Sequence, residues 1–171
     1  MKLTHTLALT ALLFLGTTQS SPAAVIIYNI LLGGNQSVPA NASTASGSAT
    51  VTVDDVANSV SVSLTFTGLT GGSASAAHIH CCVPTTANGP VIIPFPGFPS
   101  ATSGTYSNVF LGISPTNIAG IEAGLAYINI HNAGFPGGEI RGDIVPEPAT
   151  VGLFGMGALL LALRARRRNQ Q

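Results

Sequence analysis

The sequence predicts an all-β fold, an antiparallel sandwich or barrel, for the central residues 25–145. Polar and apolar residues alternate without a break over Ser59–Thr67, so the apolar residues of this stretch share one buried strand face. Further short apolar runs are separated by clusters of glycine and proline, which is typical of short strands joined by turns. At roughly 120 residues, this stretch is long enough for one domain with a modest core and too short for two.

The first three predicted strands lie in the N-terminal half of this domain. Ile26–Leu32 is rich in branched apolar residues and ends at the glycines of Gly33–Asn35. Ala49–Val53 alternates in the same way as the third strand, Ser59–Thr67. The polar Asp54–Asn58 predicts the turn that joins the second strand to the third.

Five more strands and one short helix are predicted after the third strand. Each strand is a short apolar or alternating run bounded by turn residues such as Pro94–Pro99 and Phe135–Gly138. Thr116–Ala123 is the predicted helix, with Ser114 or Thr116 as its N-cap. The five strands are Ala77–Cys81, Pro90–Ile93, Thr105–Leu111, Ala126–His131 and Glu139–Ile144.

Composition and charge exclude several classes of protein. Only 7% of the residues are charged, against roughly 25% in typical soluble domains. Between its two ends the chain has one basic residue, Arg141, so it lacks the basic face that binding to nucleic acid requires. Motifs for a nucleophile elbow, a phosphate-binding loop or a dinucleotide fold are absent, which favours a protein that is not an enzyme.

The N-terminal residues 1–24 are typical of a secretory signal peptide. Lys2 precedes the apolar stretch Leu7–Leu15, and Ser21–Ala24 offers small residues for cleavage. Export places the domain in an oxidising compartment.

The C-terminal residues 146–171 predict a second targeting signal. Pro146, Glu147 and Pro148 precede the uncharged stretch Ala149–Leu163. As a helix this stretch would be about 22 Å long, somewhat shorter than the roughly 30 Å hydrocarbon core of a membrane. The arginines that follow predict that this end stays in the cytoplasm. These arginines are Arg164, Arg166, Arg167 and Arg168.

This order of a Pro-Glu-Pro motif, an apolar transmembrane helix and an arginine cluster resembles the PEP-CTERM sorting signal of bacterial exported proteins. The resemblance implies that an exosortase recognises the chain and cleaves it near the motif. It also implies transient anchoring in the inner membrane, followed by release to, or attachment at, the cell surface. Extracellular polysaccharide and envelope proteins are the partners implied there.

The central domain resembles the CHRD domain, which is named after chordin and is also found in bacterial exported proteins. The resemblance covers nearly the whole domain and implies an immunoglobulin-like β-barrel without an established enzymatic activity. In this chain Cys81 and Cys82 follow the His-Ile-His motif, where a glycine often follows it in the family. The matching segments, in the family's order, are Leu32–Pro39, Gly47–Val51, Ala77–His80, Leu125–His131 and Pro136–Gly142.

Three histidines in predicted strands are candidate metal ligands. His78 and His80 project from the same strand face about 7 Å apart, whereas Ile79 points into the core. His131 is the candidate third ligand, and Zn or Cu is the ion that imidazoles suit. In the alternative interpretation the three histidines are structural and form hydrogen bonds with backbone carbonyls or with Glu139.

The adjacent Cys81 and Cys82 leave several interpretations open. As thiolates they could take part in redox chemistry or bind a metal, and Cys82 would then lie on the same face as His80 if the strand continued past it. They could instead form a vicinal disulfide, remain buried thiols or bridge to another molecule.

The last predicted strand carries an alternation of charges. Glu139, Arg141 and Asp143 would share one strand face, with the arginine between two carboxylates. This arrangement predicts a structural ladder of ion pairs.

The sequence therefore supports two functional hypotheses. The first is a non-catalytic, exported domain of the cell surface or extracellular matrix that binds polysaccharide or envelope proteins. The alternative is a Cu- or Zn-binding, or metal-dependent redox, domain that uses the His-x-His strand.

Overall fold

The computed structural model describes residues 25–146, which form eight β-strands, one 3₁₀ turn and one α-helix. The turn, Gly34–Gln36, follows the first strand, and helix α1, Pro115–Glu122, lies between the sixth strand and the seventh. The strands are β1 (Val25–Gly33), β2 (Ser46–Asp54), β3 (Ser59–Thr67), β4 (Ala74–Cys81), β5 (Val91–Pro94), β6 (Gly104–Leu111), β7 (Ala126–Asn132) and β8 (Ile140–Ile144).

All eight strands belong to one antiparallel sheet in the order β5-β4-β7-β8-β1-β2-β3-β6. The sheet rolls up until its two edge strands approach each other. Phe95, directly after β5, stacks on Tyr106 and Phe110 of β6 with ring centroids 5.0 and 5.7 Å apart. The predicted all-β antiparallel sandwich or barrel is confirmed as a sheet that nearly closes into a barrel.

The inner side of this sheet holds the hydrophobic core. In β3 the four apolar residues are at most 2% exposed and alternate with more exposed hydroxyl residues, as the sequence pattern predicts. The core also includes Ile79, Ile128 and Ile130 of β4 and β7, each of which is fully buried.

Around β7 the outer side of the sheet is largely covered as well. The segment Cys82–Pro90, which connects β4 to β5, is held there by Arg141 of β8, whose guanidinium donates to the carbonyls of Thr85 and Ala87 at 2.8 and 3.0 Å. Tyr127, on the outer face of β7, is consequently buried, and its hydroxyl accepts from the Gly89 amide of this segment. This cover shields the polar outer faces of β4, β7 and β8, where the candidate site lies.

Each predicted strand is present, but β2 and β4 begin three residues earlier than predicted. β2 starts at Ser46 because Ser46 and Gly47 pair with the end of β3, although neither residue type favours a strand on its own. β4 starts at Ala74 and contains a register shift before Ala76. Helix α1 begins one residue early, at Pro115, and Ser114 caps it by accepting from the Asn117 amide at 3.2 Å.

The predicted signal peptide, residues 1–24, and the predicted transmembrane helix with its arginines lie outside the described residues. Within residues 25–146, no helix is both long and apolar enough to cross a membrane.

Candidate metal centre

Pairing of β4 with β7 brings the three predicted histidines together. His78 lies opposite Asn129 and His80 opposite Tyr127, while His131 lies opposite Ala76, one step along the same face. Because side chains alternate between the two faces of a strand, all three imidazoles project from the outer side of the sheet. Their ring centroids are 5.1 to 5.9 Å apart.

One ring nitrogen of each imidazole lies close to one ring nitrogen of each of the other two. The three candidate ligand atoms lie within 4.8 Å of one another. A point between three atoms so placed is at most about 2.8 Å from each of them, and zinc–nitrogen bonds are about 2.0–2.1 Å long. Small rotations of the side chains would therefore bring all three nitrogens into bonding distance of one ion.

Hydrogen bonds on the far side of two rings determine which nitrogen is free to bind. His80 Nδ1 lies 2.9 Å from the Gly89 carbonyl, and His131 Nδ1 lies 2.9 Å from the Pro136 carbonyl. Since a carbonyl only accepts, each Nδ1 carries the proton and each Nε2 keeps its lone pair. A donor bond of this kind to a backbone carbonyl is the usual way in which proteins orient a metal-binding histidine.

Each of the three imidazoles also has a ring nitrogen that is buried and has no hydrogen-bond partner among the described residues. These nitrogens are Nδ1 of His78 and Nε2 of His80 and His131. Buried polar atoms without a partner are rare, because each costs roughly 1–3 kcal/mol in lost hydration. An ion held between the three rings would supply a partner for such lone pairs.

The surroundings also favour the neutral, ligand form of two of these imidazoles. Burial lowers the pKa of His78, and the nearby His131 and His80 lower it further. Burial likewise lowers the pKa of His80; the hydrogen bond to Gly89 raises it, and His131 and Arg141 lower it. Both rings are therefore neutral at neutral pH, which is the state that binds a metal ion.

His80 is held in place by a stack of aromatic and cationic groups. Its ring is parallel to that of Tyr127, 4.8 Å away at an angle of 3°, and the Arg141 guanidinium carbon lies 3.5 Å from the centre of the tyrosine ring. The Tyr127 hydroxyl accepts from the Gly89 amide at 3.0 Å, and the Gly89 carbonyl faces His80. These contacts fix the His80 ring before any ion arrives.

The three imidazoles form part of the wall of a cavity of about 530 Å³. Its other lining residues are small or uncharged: Ser75, Ala76, Val91, Asn132, Ala133 and Pro136. His78 and His131 are partly exposed, so the centre can be reached from solvent on this side.

The two cysteines do not join the histidines. Cys81 and Cys82 form a disulfide across a cis peptide bond, and β4 ends at Cys81, so Cys82 does not continue the outer face of the strand. Their sulfurs face helix α1, where a Cβ built on Gly120 would lie 2.5 Å from Cys81 Sγ and 2.4 Å from Cys82 Sγ. In this disulfide state neither sulfur is a thiolate that could bind the ion.

The predicted ladder of ion pairs on the last strand is wrong in one half. Arg141 pairs with Asp143 at 2.9 Å, but Glu139 precedes β8 and turns to a different set of partners. Those partners are Ser43, Thr70, Gly71 and Asn132, all of which donate to its carboxylate. The strand pattern fails there because Glu139 lies in the turn before the strand begins.

Sequence reasoning placed the three histidines together but missed the residues that orient them. Gly89 and Pro136 act through their backbone carbonyls, and a pattern of side chains in the sequence cannot reveal such contacts. The only available signal was the alternation of Tyr127 and Asn129 with His131 on one face of β7.

Comparison with protein families gives two matches along the chain. The CHRD domain model matches residues 28–144, and the PEP-CTERM protein-sorting motif matches residues 145–168. No curated protein and no solved structure matches the chain.

Proposed function

We propose, from the premise that this chain belongs to the CHRD domain family, that it is an exported envelope domain that binds one zinc or copper ion. The ligands are His78, His80 and His131. The family match covers most of the chain and supplies the fold, whereas the metal-binding role is argued from the site alone.

The PEP-CTERM motif implies that the protein is exported and directed to the cell envelope, and such motifs are recognised by exosortase. In the proposal, residues 1–24 direct export and the apolar segment after Pro148 holds the chain transiently in the inner membrane. Cleavage near Glu147 then yields the surface form. The uncharged stretch followed by arginines supports this order of events.

The observation that carries the metal-binding role is the close approach of three imidazoles, each of which has a buried ring nitrogen without a partner among the described residues. The hydrogen bonds to the Gly89 and Pro136 carbonyls leave the Nε2 atoms of His80 and His131 without a partner among the described residues. Each ring has a buried nitrogen that a purely structural role leaves without a partner among the described residues. Imidazole ligands suit both zinc and copper, and both ions are therefore named.

A specific observation favours a second role, as a non-catalytic surface that binds polysaccharide or envelope proteins. The outer side of β2 and β3 presents exposed hydroxyl groups close together on neighbouring strands, and Asn29 lies beside them. Hydroxyl and amide groups match the hydrogen-bonding groups of a sugar polymer. The hydroxyl residues are Ser48, Thr50, Ser63 and Thr65. This role is compatible with an ion bound at β4 and β7, because β8 and β1 separate those strands from β2 and β3 in the sheet.

The test is the metal content of the full chain, purified without chelator. We expect about one zinc or copper ion per chain in the wild type and in Ser75→Ala, which alters the cavity wall without removing a ring nitrogen. The double variant His78→Ala/His80→Ala is expected to retain less than a tenth of this content. Circular dichroism checks that its sheet is intact, and His131→Gln provides a milder second variant.

Equal metal content in the wild type and the histidine variants would refute the proposal. A wild-type protein that stays empty after incubation with excess zinc and with excess copper would refute it as well.

A further inference from the structure

We propose that the metal centre keeps one coordination position open and that a small monovalent anion binds there from the 530 Å³ cavity. This inference rests on the proposed metal-binding function. It adds the class of ligand that the centre takes.

The number of protein ligands leaves a coordination position of the ion free. Among the described residues, the group that could hold the ion contains three members, His78, His80 and His131. Structural zinc sites have four protein ligands, whereas a site with three leaves a position for water or another small ligand. The cysteines nearest in sequence do not supply a fourth ligand, because they are bonded to each other.

The cavity gives a small ligand access to this position. The cavity reaches all three imidazoles, and its wall beside them is made of small side chains such as Ala76 and Ala133. Ala76 lies opposite His131 in the strand pairing and two residues before His78, on the same outer face. A small molecule can therefore approach the ion from the cavity without moving a strand.

The charge of the ion favours an anion at this position. Three neutral imidazoles leave the full charge of a divalent ion uncompensated, and no carboxylate lines the cavity. Arg141 does not line the cavity; its guanidinium stacks on Tyr127 and is paired with Asp143. The net field at the open position is that of the ion, and it attracts an anion.

The experiment uses the full chain loaded with Cu(II) and titrated with azide, a small monovalent anion with a distinct charge-transfer absorption when it is bound to copper. We expect a saturable band and a shift in the electron paramagnetic resonance spectrum, with one azide per copper. Fluoride, a second monovalent anion, is expected to compete with azide for the same position.

Two alanine-to-leucine variants locate the position. Ala76→Leu places an isobutyl group in the cavity beside His78 and His131, and we expect azide to bind at least tenfold more weakly while copper content stays the same. Ala57→Leu makes the same change in the exposed turn between β2 and β3 and is expected to leave azide binding unchanged.

The outcomes separate the two proposals. Copper bound at one equivalent with no response to azide means that the coordination is closed, and it overturns this inference while the metal-binding function stands. An unchanged azide affinity in Ala76→Leu overturns the assignment of the position to this cavity. Failure to retain either copper or zinc refutes the metal-binding function itself, and this inference with it; a chain that retains zinc but not copper overturns only this inference.

Discussion

Glu139 shows how a single buried charge organises the loops at one end of the sheet. Its side chain is fully buried, and its carboxylate accepts from the Ser43 hydroxyl, from the amide and hydroxyl of Thr70, from the Gly71 amide and from the Asn132 side chain. These donors come from two separate loops and from the end of β7. One carboxylate therefore ties together segments that are distant in the sequence.

The pKa of Glu139 makes this cluster a source of pH-dependent stability. Burial alone raises its pKa, but hydrogen bonds from Ser43, Thr70 and Asn132 outweigh burial and lower it to about 2. A carboxyl whose pKa is depressed in the folded state stabilises the fold above its unfolded pKa and loses that contribution as the pH falls towards the folded value. We expect roughly 3 kcal/mol of the free energy of unfolding to disappear between about pH 5 and pH 2 for this reason.

Glu139→Gln tests this contribution in urea unfolding measured at several pH values. At pH 7 we expect the variant to be less stable than the wild type by about 3 kcal/mol, because a neutral amide cannot accept all of these bonds. The difference should narrow as the pH falls from 5 to 2. Glu122→Gln, the same chemical change on helix α1, is expected to cost less than about 1 kcal/mol. A difference between Glu139→Gln and wild type that is independent of pH would contradict this account.

At the scale of elements, helix α1 packs against the disulfide at the end of β4. Gly120 faces both sulfurs, and a Cβ at this position would lie 2.4–2.5 Å from them, closer than any real contact. Alanine normally stabilises a helix over glycine by about 1 kcal/mol. At Gly120 the contact with the sulfurs decides whether alanine stabilises or destabilises the protein, because neither the helix backbone nor the bonded sulfurs can move independently.

Gly120→Ala is therefore expected to lower the free energy of unfolding by about 1–3 kcal/mol, despite the better helix propensity of alanine. Chemical denaturation of the oxidised protein measures the change. Gly137→Ala is the matched control, since the added Cβ would meet nothing within 4 Å. A more stable Gly120→Ala protein would show that the helix does not rest on the disulfide as described.

The elements also show what could be read from the sequence and what could not. Alternation identified the strands because one face of each strand meets a continuous core, so pattern and burial coincide. The same reasoning placed Arg141 on an outer face but did not predict that it is fully buried. Its burial depends on the segment Cys82–Pro90 folding back over β7 and β8, a long-range contact made through backbone carbonyls.

The candidate site, too, could be predicted from the sequence only in part. The spacing of His78 and His80 predicted a shared face, and the face pattern of β7 suggested His131 as the third member. Strand order is not visible in the sequence, and only the pairing of β4 with β7 brings His131 beside the other two. The orientation of the rings could not be predicted from the sequence, because it depends on the carbonyls of Gly89 and Pro136.

At the scale of the whole molecule, the folded domain ends almost directly at the sorting motif. β8 ends at Ile144, Val145 is 50% exposed and Pro146 is the first residue of the motif. β8 is not an edge strand, since it lies between β7 and β1 in the sheet. Cleavage before Ile144 would therefore remove part of a central strand, together with the pairing that supports the metal centre.

We therefore expect the mature surface form to keep every residue through Val145 and to lose the apolar segment and its arginines. Mass spectrometry of the protein from the cell surface measures the new C-terminus directly. Glu147→Ala alters the motif beyond the last strand, and we expect this variant to retain its full C-terminal mass, to remain in the membrane fraction and to bind metal as the wild type does. Glu122→Gln, a change of acidic residue inside the domain, should be processed normally. A mature form that ends within β8, or equal processing of Glu147→Ala and wild type, would contradict this arrangement. Either result would mean that the cut does not depend on a motif that follows the folded domain.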